Sequence, residues 1–82
     1  MIRIKDNAEL KALGWNYSKN LSMDDYYVFV RDEEELCIDT DKMKITYYNL
    51  DEDGLPQLSY DTLKVVVKIF EKVEKENMIW VI

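Results

Sequence analysis

The chain has no histidine, one cysteine, one proline and two glycines among its 82 residues. Without histidine the commonest general base near neutral pH is missing, and neither a Ser-His-Asp nor a Cys-His arrangement can be assembled. The lone Cys37 excludes an intrachain disulfide and a cysteine-rich metal site, and an unpaired thiol fits a reducing compartment. Gly14 and Gly54 do not make a phosphate-cradling loop. No apolar run approaches the ~20 residues that span a bilayer. Met1-Ile2-Arg3-Ile4-Lys5 is too short and too charged for a signal peptide. These features predict a cytoplasmic protein without membrane attachment, cofactor, metal or enzymatic activity.

Basic residues are also scarce. Eleven Lys and Arg face seventeen Asp and Glu, a formal charge of −6. Nucleic-acid binding through phosphates needs clustered cations, and anionic membranes select for them too, so neither is expected. The deficit is local. Met23 to Gly54 holds eleven acidic residues and three basic ones, while the two flanks together carry a small positive excess. A charge of this kind steers a basic partner inward.

What the chain does have is an orderly apolar pattern and ten aromatic residues, enough for one small domain over residues 1–82. Ile2 and Ile4 alternate with Arg3 and Lys5 as in a short strand. Asp6-Asn7-Ala8-Glu9 reads as a capping box for a brief helix to Leu13, closed by Gly14. Trp15, Tyr17 and Leu21 anchor a polar connection. Three strands follow at Tyr26 to Arg31, Glu35 to Asp39 and Met43 to Tyr48, joined by turns at Asp32-Glu33-Glu34 and Thr40-Asp41-Lys42. A loop over Asn49 to Leu58 precedes the Ser59 cap. The second helix runs from about Tyr60 to Glu76, with Leu63, Val66, Val67, Phe70 and Val73 at helical spacing and Val65 and Ile69 widening the stripe. Met78 to Ile82 reads as an apolar terminal strand. The fold class is α+β, ordered β-α-β-β-β-α-β, a mainly antiparallel sheet with the long C-terminal helix on one face.

Functional candidates follow from this layout. Asn49 to Gly54 matches the first half of a calcium loop, but position twelve is Tyr60 where a bidentate Glu is required. An Asp-rich turn accounts for it. Cys37, downstream of three glutamates, reads as packing. The carboxylates Asp32, Glu33, Glu34, Glu35, Asp39, Asp41, Asp51, Glu52 and Asp53 form the candidate docking surface for another protein with a basic surface. With Tyr26, Val28 and Val30 beneath the long helix, Tyr27, Phe29 and Tyr48 share the second face with Cys37 and Thr46. That face is either a second small core or an aromatic partner-binding patch. The terminal strand and the broad helical stripe offer a homodimer as the alternative.

The run Asp6-Asn7-Ala8-Glu9-Leu10 into Leu13-Gly14-Trp15, the Tyr26-Tyr27 strand start, the acidic hairpins and Leu58-Ser59-Tyr60-Asp61 give the chain a resemblance. It resembles small acidic proteins of unassigned function from phages and prophages of Gram-positive bacteria. The resemblance implies binding to a host or phage protein. Some such proteins inhibit nucleic-acid enzymes, CRISPR nucleases among them, by presenting acid where DNA would sit. It assigns no functional residue.

Overall fold

The computed structural model describes residues 4–50 and 58–79, with backbone alone for 76–79. Ile4–Asp6 forms a 3-10 turn, followed by helix α1 (Ala8–Ala12), strands β1 (Asn16–Tyr17), β2 (Tyr26–Arg31), β3 (Glu34–Asp39) and β4 (Lys44–Asn49), and helix α2 (Tyr60–Ile79). The strands make one antiparallel sheet in the order β1-β2-β3-β4. The α+β class and the meander follow the sequence expectation. The connection after α1 departs from it, because Asn16 and Tyr17 pair with Val30 and Phe29 as strand β1, and so do the two ends of the chain. Ile4 and Lys5 are in the 3-10 turn, where the Asn7 amide closes on the Ile4 carbonyl at 3.1 Å, rather than in a strand. Met78 and Ile79 extend α2, and residues 80–82 lie outside the described part.

Helix α1 is capped one residue later than the capping-box spacing suggests. Asn7 Oδ1 accepts from the Leu10 amide at 2.9 Å, which satisfies a first-turn donor. Glu9 pairs with Lys68 across to α2 instead of reaching back. At the other end Gly14 takes φ +92°, the Trp15 amide donates to the Leu10 carbonyl and the Gly14 amide to that of Lys11. This Schellman closure places Trp15 against Leu10, the usual apolar contact of the motif, and both are buried.

Trp15 organises the core. Its indole N–H donates to Thr62 Oγ1 at 3.0 Å, and Ser59 Oγ donates to the same oxygen at 2.8 Å. Thr62 is therefore wholly buried despite its hydroxyl, because every polar atom there has a partner. Ser59 caps α2 as expected, accepting from the Thr62 amide. Anchoring Thr62 rotates the buried stripe of α2 to Thr62, Val65, Val66 and Ile69, with Phe70 and Val73 half-buried. Leu63 and Val67, expected inward, are 41% and 45% exposed. Burying Val65, Val66 and Ile69 contributes ~1.5–3 kcal/mol each. Leu21, expected as an anchor, is exposed in the polar connection.

The register decides which face of the sheet meets this core. Arg31 pairs with Glu34, so Asp32-Glu33 is a two-residue turn, with Asp32 at φ +50° supplying the left-handed residue tight hairpin links need. Phe29 then shares a cross-strand row with Leu36 and Tyr47, and Tyr27 one with Ile38 and Ile45. These residues pack against α1 and α2. The opposite assignment, with Tyr26, Val28 and Val30 beneath the helix, is thus inverted. Phe29, expected on a binding surface, is 2% exposed in the core, with the Tyr17 ring edge-on at 5.7 Å.

Candidate functional site

The sheet face turned away from α1 and α2, open among the described residues, is built from three cross-strand rows: Tyr26-Asp39-Lys44, Val28-Cys37-Thr46 and Val30-Glu35-Tyr48. None of these residues belongs to the helix-covered core. Val28 and Cys37 are nevertheless buried at the centre of the face, while Tyr48 is 49% exposed. Tyr26 and Tyr48 sit on the two diagonals from Cys37, within reach of aromatic side chains. The surrounding side chains thus shelter the middle row.

The polar groups of this face gather around Cys37. The Cys37 thiol donates to Glu35 Oε1 at 3.8 Å, and Tyr26 is diagonal to Cys37 on the same face. The hydrogen bond to Cys37, then burial and the nearby Glu35 charge, push the Tyr26 phenol up to about 12. Burial pushes the Cys37 thiol up too, and Glu35 adds to the shift. A thiol held protonated is a poor nucleophile and a poor metal ligand.

The predicted acidic residues separate into distinct environments. Asp32 and Glu33 are exposed in the β2–β3 turn. Asp39 and Asp41 lie at the opposite end of the sheet. There Asp39 Oδ1 accepts from the Asp41 and Lys42 amides, and Thr40 hydrogen-bonds to the Asp25 carbonyl, bringing Asp24 and Asp25 alongside. The six residues of β3 separate the two ends by about 20 Å at ~3.3 Å per residue. Glu35 projects from the open face. Glu34 points to the covered face, where Arg31 grips both its oxygens at 2.7 and 3.1 Å and the Tyr47 hydroxyl donates at 2.6 Å. The Arg31 hydrogen bonds, with that of Tyr47, hold its carboxyl below the usual range against the opposing effect of burial. Arg31 also donates to the Leu13 carbonyl at 2.8 Å and lies 4.3 Å from the Trp15 ring centre. Glu34 is thus a structural ion-pair member rather than a free surface charge. Asp51, Glu52 and Asp53 lie outside the described residues.

The expected aromatic patch also divides. Tyr48 is on the open face, whereas Tyr27 and Phe29 are on the covered one. Tyr26 and Val30 take their places. The parity of a two-residue turn is the sequence signal that identifies them, since it fixes which residues of β2 share a face with Glu35 and Cys37.

The covered side offers little chemistry. A hollow of about 420 Å³ between α1 and α2 holds two carboxylates, but Glu9 is paired with Lys68 at 3.1 Å and Asp61 with Lys64 at 3.8 Å. Among the described residues no group of three His, Cys, Asp or Glu is placed to hold a metal ion, and no helix is long and apolar enough to cross a membrane. No protein-family model, curated protein or solved structure matches the chain.

Proposed function

We propose that this protein is a non-enzymatic module that binds another protein, docking the open sheet face onto a partner with a basic surface. The observation that carries the reading is the pattern of that face. Tyr26, Val30 and Tyr48 surround a buried Val28-Cys37 centre, and carboxylates stand at both ends of the strands. Protein interfaces combine aromatic centres with polar rims in this way. The aromatic groups supply the burial, and Asp32, Glu33, Asp39 and Asp41 supply attraction during encounter. A nucleic-acid-binding protein, basic because its own ligand is a polyanion, is the partner class this chemistry fits best. Neutralisation of Glu34 and the gap between the two acidic ends favour aromatic burial flanked by charge over an unbroken anionic track standing in for DNA.

The test uses immobilised wild-type protein, Tyr48→Ala, and the double variant Glu33→Lys/Asp41→Lys, each exposed to extract of the source cell. A partner held by wild type should be lost from Tyr48→Ala and should associate more slowly, with a flatter salt dependence, on the double variant. Equal retention of every captured protein by all three would overturn the reading.

A further inference from the structure

We infer that α2 pairs antiparallel with α2 of a second copy of this chain, through the side its own core leaves open. Tyr60, Leu63, Val67 and Phe70 recur at spacings of three, four and three, the a and d positions of a two-heptad seam. Tyr60 is 71% exposed, Leu63 41% and Val67 45%, and Phe70 is half-buried. An isolated exposed apolar residue needs no explanation, but a continuous stripe over three helical turns does.

The charges bordering the stripe identify the occupant. On one edge the residues following Leu63 and Phe70 are Lys64 and Glu71, one heptad apart and exposed. The other edge is formed by Val66, which is buried in the core, and the half-buried Val73. Antiparallel pairing sets like edges face to face. Lys64 of each copy then meets Glu71 of the other, twice by symmetry, with Tyr60 layered on Phe70 and Leu63 on Val67. Parallel pairing would set the charged edge against the edge already used by the core. The stripe is therefore self-complementary in one orientation, as a two-fold interface must be. The intrachain contacts of Lys64, with Asp61 at 3.8 Å and the Tyr60 ring at 4.9 Å, are solvent-exposed and leave it available.

Sedimentation of the purified protein across a concentration series tests this. Wild type should pass from monomer to dimer. Val67→Asp, at an exposed position, should keep its helical circular dichroism and associate about tenfold or more weakly. Lys64→Glu or Glu71→Lys alone should each weaken pairing about five- to tenfold, and the double swap should restore it. An equimolar mixture of the two single variants should form a heterodimer, because both bridges are regained. Tyr48→Ala should leave pairing unchanged. Wild type that stays monomeric at the highest concentration reached overturns the inference and leaves the stripe to a different protein. So does a dimer that ignores Val67→Asp, or single variants that fail to rescue each other.

Discussion

The two faces of the sheet come from the same three strands and serve opposite ends. On the covered face Phe29, Leu36 and Ile38 are almost wholly removed from water, and the strand ends are tied by the Trp15–Arg31–Glu34–Tyr47 network. On the open face Val28 and Cys37 are buried outside the helix-packed core, and Tyr48 reaches solvent. An amphipathic sheet of this size folds on one face, which leaves residue identity on the other free to serve recognition. Substitutions of comparable size should therefore have unequal effects on stability, and that inequality can be measured.

The largest effect is expected at Trp15. Trp15→Ala removes a fully buried ring, the donor to the Thr62 hydroxyl and the surface on which Arg31 lies. Loss of ~3–5 kcal/mol follows, most of the stability of a domain this small. Denaturant unfolding should show the midpoint collapsing for Trp15→Ala. A variant that melts near wild type would mean the core is not centred on this residue.

Glu34→Gln comes next and sharpens the comparison, because Glu34 and Glu35 are sequence neighbours on opposite faces. Glu34→Gln leaves the Arg31 guanidinium without its paired carboxylate and should lose ~1–3 kcal/mol. Glu35→Gln should lose less than about 1 kcal/mol. The pH dependence separates them further. The Glu34 carboxyl titrates below its ordinary value of 4.5, so on acidification the unfolded chain takes up that proton first. The contribution is complete above that value, declines as pH falls through and below it, and vanishes once the folded carboxyl protonates. Urea unfolding from neutral to acidic pH should show the wild-type advantage over Glu34→Gln shrinking on the acid side. A gap that stays constant with pH would refute the ion pair.

This neighbouring pair also shows where the sequence was legible. The spans of β2, β3 and β4, the Gly14 closure and the Ser59 cap could be read within a residue or two, because alternation and capping are local signals. The choice of face could not. Tyr26 to Arg31 is apolar on both faces, so its own pattern does not say which side is buried, and only the two-residue turn at Asp32-Glu33 settles it. Reading Glu34 as a third turn residue loses that parity. The burial of Thr62 was hidden for a similar reason. A threonine is counted as polar unless its hydroxyl partner is known, and that partner, Trp15, is 47 residues away. The acidic surface was legible as composition but not as placement, since two hairpins send their turns to opposite ends of the sheet.

Cys37 is the third point of comparison, a buried residue on the open face. Its thiol is 2% exposed and its proton is held by burial. Modification by a thiol reagent should follow the opening of the structure, far more slowly than for an exposed thiol at the same pH. Tyr26→Phe keeps the ring beside the thiol and should leave the labelling rate near that of wild type, at a stability change within about 1 kcal/mol. Rapid labelling of the native protein would show that the tyrosines do not shelter the centre of the face.

The smallest expected effect is the most informative. Tyr48 is half exposed, lies on an edge strand and makes no contact with the helix-covered core. Truncation at such a position changes stability by about 0.5 kcal/mol or less. Phe29→Ala, an aromatic truncation two strands away on the other face, should lose ~3–5 kcal/mol. If recognition resides on the open face, Tyr48→Ala abolishes partner capture while its unfolding curve overlays wild type. The reverse result, a destabilised Tyr48→Ala that still binds, would make the open face a second small core and move recognition elsewhere. Because loss of binding without loss of stability cannot arise from unfolding, this substitution separates a docking residue from a packing residue.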